Sequence, residues 1–202
     1  MIGVVDYRAG NAPSVLYALE RLGQPARLAG ADDVAECERI ILPGVGAARA
    51  TLDSLRESHL LEPLTEHVRA GRPFLGICVG LQILFDQSTE DDTDCLGWIP
   101  GSVQRFPDSV RVPQIGWNEV RVRHEHPVLA GLPDAGYFYF VNSYYAVPDD
   151  PDSALGVTDY AGDFCSLVAQ DNILATQFHA EKSGELGLRL LANFANWDGG
   201  PC

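Results

Sequence analysis

Lysine is almost absent from this 202-residue sequence, in which Lys182 is the only one. Lysine and arginine together number 14 against 28 acidic residues, which gives a formal net charge of −14. A surplus of negative charge repels the phosphates of nucleic acids and of anionic lipids. The composition therefore argues against nucleic acid and against a membrane surface as partners.

The sequence also lacks an apolar run of the roughly 20 residues that a membrane-spanning helix needs. Its first residues, Met1-Ile2-Gly3-Val4, carry no basic segment of the kind that opens a secretory signal. We therefore expect a cytoplasmic protein. The chain length favours one core, so we expect residues 1–202 to form a single domain.

Cysteine is present five times, but no two of the five form a Cys-x-x-Cys pair. An odd number of cysteines in a cytoplasmic context predicts neither a disulfide framework nor a zinc site. We expect no metal site in this protein.

A candidate nucleophile lies in the stretch Pro73-Phe74-Leu75-Gly76-Ile77-Cys78-Val79-Gly80-Leu81-Gln82. Its first half is apolar, as in a buried strand, and apolar residues from Leu81 to Phe85 suit a following helix. Cys78 then stands at a sharp strand-to-helix turn between two glycines, which is the layout of a nucleophile elbow. We expect the small glycines to permit a strained turn and the approach of a substrate to the sulfur. A buried structural cysteine is the alternative.

The rest of the chain predicts an α/β fold with a mixed, largely parallel central sheet flanked by helices. The first half alternates strands and helices, and the second half is mainly extended up to a closing helix. We expect strands at 2–6, 25–29, 39–42, 73–77, 103–106, 120–123, 137–147, 154–160, 164–169 and 173–178, and helices at 11–22, 47–56, 60–70 and 184–197.

Two further stretches follow strands and therefore point to the same edge of a parallel sheet as Cys78. His179 and Glu181 follow the strand from Ile173, and a nucleophilic cysteine needs such a base, oriented by a carboxylate. The Gly44-Val45-Gly46 turn could present backbone N–H groups, with a plain turn as the alternative. Together these stretches favour nucleophilic catalysis.

The stretches Gly76-Ile77-Cys78-Val79-Gly80-Leu81-Gln82 and His179-Ala180-Glu181 resemble the motifs of the class I glutamine amidotransferases. Other stretches narrow the resemblance to the glutaminase subunits of imidazole glycerol phosphate synthase, an enzyme of histidine biosynthesis. These stretches are Asp6-Tyr7-Arg8-Ala9-Gly10-Asn11, Leu42-Pro43-Gly44-Val45-Gly46, Val112-Pro113-Gln114-Ile115-Gly116-Trp117-Asn118, Tyr137-Phe138-Tyr139-Phe140-Val141-Asn142-Ser143-Tyr144-Tyr145 and Glu181-Lys182-Ser183-Gly184.

The resemblance implies a flavodoxin-like class I amidotransferase fold and the hydrolysis of glutamine to glutamate and ammonia without a cofactor. It implies a triad of Cys78, His179 and Glu181. Backbone N–H groups of Val45, Gly46 and Val79 would bind the oxyanion. Gln82, Ser143 and Tyr144 match positions that contact glutamine.

The resemblance also implies a partner, a separate cyclase subunit with a (β/α)₈ barrel that receives the ammonia in a heterodimer. We expect Trp117, Asn118, Tyr139 and Lys182 to form the docking face. Two alternatives stay open, namely an amidotransferase with another acceptor and a non-catalytic subunit with a vestigial triad.

The sequence departs from the family pattern at three of these positions. Ala180 stands where proline is common between the triad histidine and glutamate, which frees the local backbone. Gln114 and Asn142 stand where histidine is frequent. None of these changes removes a reacting group, so the expectation of catalysis stands.

Overall fold

The computed structural model describes residues 1–8 and 11–200. Ala9 and Gly10 of the first motif, and Cys202, lie outside these residues. The strands are β1 (Ile2–Val5), β2 (Ala26–Ala29), β3 (Arg39–Gly44), β4 (Phe74–Cys78), β5 (Gln87–Ser88), β6 (Thr93–Asp94), β7 (Gly101–Arg105), β8 (Gln114–Val122), β9 (Ala135–Asn142), β10 (Tyr144–Pro148), β11 (Ala154–Asp159), β12 (Asp163–Gln170) and β13 (Ile173–Thr176).

The α-helices are α1 (Ala12–Arg21), α2 (Ala48–Glu57), α3 (Leu61–Arg69), α4 (Val79–Gln82) and α5 (Gly184–Asn196). Short 3₁₀ turns occupy Ala31–Glu36, Pro127–Leu129, Pro151–Ser153 and Ala180–Lys182. Among the described residues, no helix combines the length and the apolar character needed to cross a membrane.

The strands form one mixed sheet in the order β2-β1-β3-β4-β13-β12-β10-β7-β5-β6. Its first five strands are parallel to one another, and β12, β10 and β7 continue antiparallel. β1, β4 and β13 are buried along their whole length, as expected for parallel strands that are covered on both faces. The predicted mixed α/β sheet is therefore confirmed.

A second branch of the sheet runs from β12 through β11 and β8 to β9, with antiparallel pairing throughout. Here buried and exposed residues alternate, so one face of the β8–β9 pair is open. The single strand expected at 137–147 is divided at Ser143 into β9 and β10. β8 is also longer than the expected segment 120–123, because its residues from Gln114 onward pair with β9.

The helix after Cys78 is much shorter than the apolar pattern predicted, and ends at Gln82. The buried residues that follow bond to a later segment of the chain, because the carbonyls of Ile83, Leu84 and Phe85 accept backbone N–H groups from residues 96–99. The apolar pattern therefore predicts the burial of these residues correctly, but the prediction that they continue the helix is wrong.

The turn at Cys78 depends on close packing between backbones. Cys78 has φ 57° and ψ −108°, a region that side-chain-bearing residues rarely adopt. A Cβ atom at Gly76 would collide with the carbonyl oxygen of Gly80, and one at Gly80 would collide with that of Leu42. Gly76 is thus required by the packing of β4 against the turn, and Gly80 by the packing of the turn against β3, in agreement with the strained turn expected from the sequence.

Replacing Gly80 with alanine should therefore strongly destabilise the fold. We expect Gly80→Ala to lower the free energy of unfolding by about 3 kcal/mol, because the backbone of β3 has no room to yield. Gly30→Ala is the control, since its Cβ would meet only Asp33 Oδ2, at 3.6 Å. Urea unfolding should show a change of less than about 1 kcal/mol for Gly30→Ala. Equal stabilities of the two variants would contradict this explanation of the turn.

Candidate active site

A cavity of about 240 Å³ opens where β3 and β4 end and β9 turns into β10. It is smaller than the roughly 300–1,000 Å³ of sites for drug-sized ligands, so it suits a small metabolite. Most of the residues predicted for the site line it together: Val45, Gly46, Cys78, Val79, Gln82, Ser143, Tyr144 and His179. The parallel sheet thus brings three distant parts of the sequence to one edge.

His179 and Glu181 form a buried pair behind this cavity. The ring nitrogen Nδ1 of His179 lies 2.9 Å from Glu181 Oε1, and the two side chains are 4% and 1% exposed. The contact is possible because the extended His179 is followed directly by the 3₁₀ turn Ala180–Lys182. Asn11 donates to the same carboxylate oxygen at 2.8 Å, and its own Oδ1 accepts from Ser14.

The backbone around His179 is held on both sides although Ala180 replaces the usual proline. The His179 N–H donates to the Tyr139 carbonyl on β9 at 2.9 Å, and the His179 carbonyl accepts from Ser183 Oγ and from the Lys182 N–H. Hydrogen bonds therefore fix the backbone that a proline ring would otherwise restrict.

The environment of His179 favours its protonated form. Burial lowers its pKa, but the hydrogen bonds and negative charges of Cys78 and Glu181 outweigh burial and raise the pKa to about 9. A protonated imidazole beside a cysteine favours the thiolate, which is the nucleophilic form of cysteine. The arrangement can therefore combine a nucleophile with a proton donor.

Gln177 is a buried neighbour of the cysteine that sequence reasoning missed. Its Nε2 lies 3.8 Å from Cys78 Sγ, and its Oε1 accepts from Gln82 Nε2 at 3.1 Å. Gln82 also donates to the Tyr144 carbonyl at 3.1 Å. Gln177 precedes the His179 motif by two residues, but only the fold shows that its side chain points to the sulfur.

Glu90 was also missed, because in the sequence it is one of several acidic residues in a row. Among the described residues that line the cavity, it is the only one with a carboxylate. Burial of Tyr144, together with the charges of Glu90 and Asp91, raises the pKa of the Tyr144 phenol, and the charge of Arg105 opposes this rise. One side of the cavity is thus negatively charged.

Of the four expected docking residues, Trp117 and Tyr139 lie together, and Asn118 does not join them. Trp117 and Tyr139 are cross-strand partners with their ring centroids 6.1 Å apart. Lys182 is exposed and directly follows Glu181 in the sequence. Asn118 alternates to the other side of β8, where its amide donates to the Asp159 carbonyl and accepts from the Glu119 N–H. Its side chain therefore serves the local structure instead of joining Trp117 and Tyr139.

Comparison with known proteins adds the following findings. Residues 4–196 match the family model described as "Glutamine amidotransferase class-I". The imidazole glycerol phosphate synthase subunit HisH of Dehalococcoides mccartyi is 47% identical, and the alignment covers 96% of each chain. HisH of Syntrophotalea carbinolica is 44% identical over 97% of this chain and 100% of its own.

Solved structures show the same fold at lower identity. A crystal structure of a glutamine amidotransferase superposes with a TM-score of 0.77 at 21% identity, covering 97% of this chain and 99% of the other. PurLQS from Thermotoga maritima gives a TM-score of 0.73 at 19% identity, covering 96% and 97%. The class I amidotransferase fold expected from the resemblance is confirmed.

The raised pKa of His179 leads to a test of the site. Because the unfolded pKa is about 6.5, protonation of His179 contributes its stabilisation below that pH, and the contribution is lost as the pH rises through about 9. Cys78→Ala removes one source of the rise, so His179 should titrate at lower pH in that variant, as followed by NMR of its ring. Cys95→Ala is the control, and an unchanged titration in Cys78→Ala would contradict the coupling.

Proposed function

The chain belongs to the glutamine amidotransferase class-I family and, within it, to the HisH subunits of imidazole glycerol phosphate synthase, and on this premise we propose that it hydrolyses glutamine and delivers the ammonia to a cyclase subunit. The observation that carries the proposal is the meeting of Cys78 with the His179–Glu181 pair at one small cavity. The product of the two subunits together would be imidazole glycerol phosphate, in histidine biosynthesis.

In the proposed reaction, the Cys78 thiolate attacks the side-chain amide carbon of glutamine. The C–N bond breaks as His179 gives its proton to the departing ammonia, which leaves a γ-glutamyl thioester on the cysteine. The neutral His179 then takes a proton from water, whose oxygen attacks the thioester and releases glutamate. Glu181, held by Asn11, keeps the imidazole in the required orientation throughout.

The oxyanion of each tetrahedral intermediate needs hydrogen-bond donors fixed in advance. We assign this role to the backbone N–H of Val79, next to the nucleophile, and to the turn at Val45 and Gly46. All three residues line the cavity with Cys78, and Gly46 has φ +100°, a conformation open mainly to glycine. Loss of one such donor typically raises the barrier by about 3 kcal/mol.

The cavity also offers groups that suit the rest of a glutamine molecule. Glu90 is placed to pair with its α-ammonium group, because it supplies the carboxylate on the cavity wall. Gln82, Ser143 and Tyr144 also line the cavity and supply hydrogen-bonding groups for the α-carboxylate and the amide.

For the cyclase, we propose the open face of β8 and β9 as the docking surface. Ile115 and Trp117 are 57% and 56% exposed there and Val141 is 37% exposed, while Tyr139 packs against Trp117. Exposed aromatic and aliphatic side chains in a cluster are typical of interface anchors. Val141 also lines the cavity, so the surface reaches the place where ammonia is released. Lys182, next to the buried Glu181, adds a positive charge to this region.

We also propose that residues 1–202 form one catalytic domain in a heterodimer with a (β/α)₈ cyclase, and that the reaction takes place in the cytoplasm. The described cysteines, Cys37, Cys78, Cys95 and Cys165, are all free, which agrees with a reducing compartment.

The first test is release of glutamate from glutamine by the purified chain, alone and with a cyclase subunit loaded with its ribulosyl substrate. We expect activity that the loaded partner strongly stimulates and that Cys78→Ala abolishes. High activity that does not respond to the partner would point to another acceptor, and no activity in either setting would favour a non-catalytic subunit.

Variants of the proposed surface separate docking from chemistry in the same assay. Trp117→Ala and Lys182→Ala should reduce the stimulation by the partner while the rate of the isolated chain stays unchanged. Asn118→Ala serves as the comparison, because its side chain points to the other side of β8. Undiminished stimulation in Trp117→Ala and Lys182→Ala would overturn the docking surface.

A further inference from the structure

The acidic segment between β5 and β6 is attached to the beginning of α2. Glu90 Oε2 accepts a hydrogen bond from the backbone N–H of Ala48 at 2.8 Å, in the first turn of that helix. Within the segment, Glu90 N donates to Ser88 Oγ and Thr93 Oγ1 donates to the Glu90 carbonyl. The carboxylate that faces the cavity is therefore part of a folded hairpin and is bound to the element that follows the Val45-Gly46 turn.

Arg49 holds the tip of the same hairpin. Its guanidinium donates to the carbonyl oxygen of Asp91 and, at 3.1 Å, to that of Asp92. Asp91 and Asp92 have φ of 55° and 47°, so the tip is a tight turn in the left-handed region. A planar guanidinium with several fixed donors can restrain two adjacent carbonyls at once.

We infer that Arg49 is a positioning residue for glutamine recognition, because it fixes the hairpin that places the Glu90 carboxylate at the cavity. One Glu90 oxygen is engaged with Ala48, and the carboxylate keeps further acceptor capacity for a ligand ammonium. Without Arg49 the turn at Asp91 and Asp92 loses its two hydrogen bonds to α2, so the hairpin that carries Glu90 is less firmly attached to that helix although the Glu90–Ala48 bond remains. This inference rests on the proposed function, in which Glu90 pairs with the α-ammonium group.

The inference makes a chemical distinction between two ligands. Glutamine carries an α-ammonium group, whereas glutaramate has the same amide and the same terminal carboxylate but no amino group. Greater mobility of the Glu90 carboxylate should weaken glutamine binding and leave glutaramate binding unchanged, since only glutamine has an ammonium group that pairs with it. A general loosening of the cavity would weaken both ligands equally.

The experiment measures the dissociation constants of L-glutamine and glutaramate by calorimetry on the full chain carrying Cys78→Ala, which does not consume either ligand. We expect addition of Arg49→Gln to weaken glutamine binding about 3- to 10-fold, the range that one or two net hydrogen bonds are worth. Glutaramate binding should change less than about 2-fold. Arg56→Gln is the matched control, because Arg56 lies on the same helix and pairs with the exposed Asp53.

The measured affinities decide whether Arg49 positions Glu90. A selective loss of glutamine affinity in Arg49→Gln, absent in Arg56→Gln, supports the inference. Unchanged affinity for both ligands, an equal loss for both, or no binding of glutamine before Arg49 is changed would overturn it. The binding experiment needs no turnover. A negative result for Arg49 can therefore be distinguished from a failure of the proposed function, which the glutaminase assay with the wild-type chain measures.

Discussion

The close contact between the backbones of β3 and the turn after β4 is the constraint on which this structure depends. Gly80 lies against the carbonyl of Leu42, and an added Cβ at Gly44 would come within 2.6 Å of the Gly80 nitrogen. This packing holds Cys78 at a positive φ, where the buried residue also lines the cavity. The same contact places the Val45-Gly46 turn beside Val79, so the proposed nucleophile and the proposed oxyanion donors come from a single packing arrangement.

Strand β9 links this site to the open face of the sheet. The Tyr139 carbonyl binds the N–H of His179, and the Tyr139 N–H binds Ser183 Oγ, while its side chain packs with the exposed Trp117. A partner that contacts this face would therefore touch a strand whose backbone also holds the base of the proposed triad. Partner binding at the proposed surface would thus have a direct structural connection to the proposed chemistry, without a long path through the core.

The sequence alone predicted the mixed α/β fold, the strained position of Cys78 and the neighbourhood of His179 and Glu181. These features come from local glycine spacing and apolar patterns, which sequence reasoning can read. It missed Glu90 because a carboxylate in an acidic run resembles a solvated charge until the hairpin turns it to the cavity. It missed the orientation of Asn118 and the length of β8, since strand alternation depends on a register with β9 that no local pattern encodes.

The central claim is that Cys78 is the nucleophile of a glutamine-binding cavity. The most direct test is peptide mapping by mass spectrometry after treatment with an electrophilic diazoketone analogue of glutamine, with and without excess glutamine. We expect one adduct, on Cys78, that glutamine prevents from forming. Modification of Cys37, Cys95 or Cys165 in its place, or labelling of Cys78 that glutamine does not slow, would contradict it.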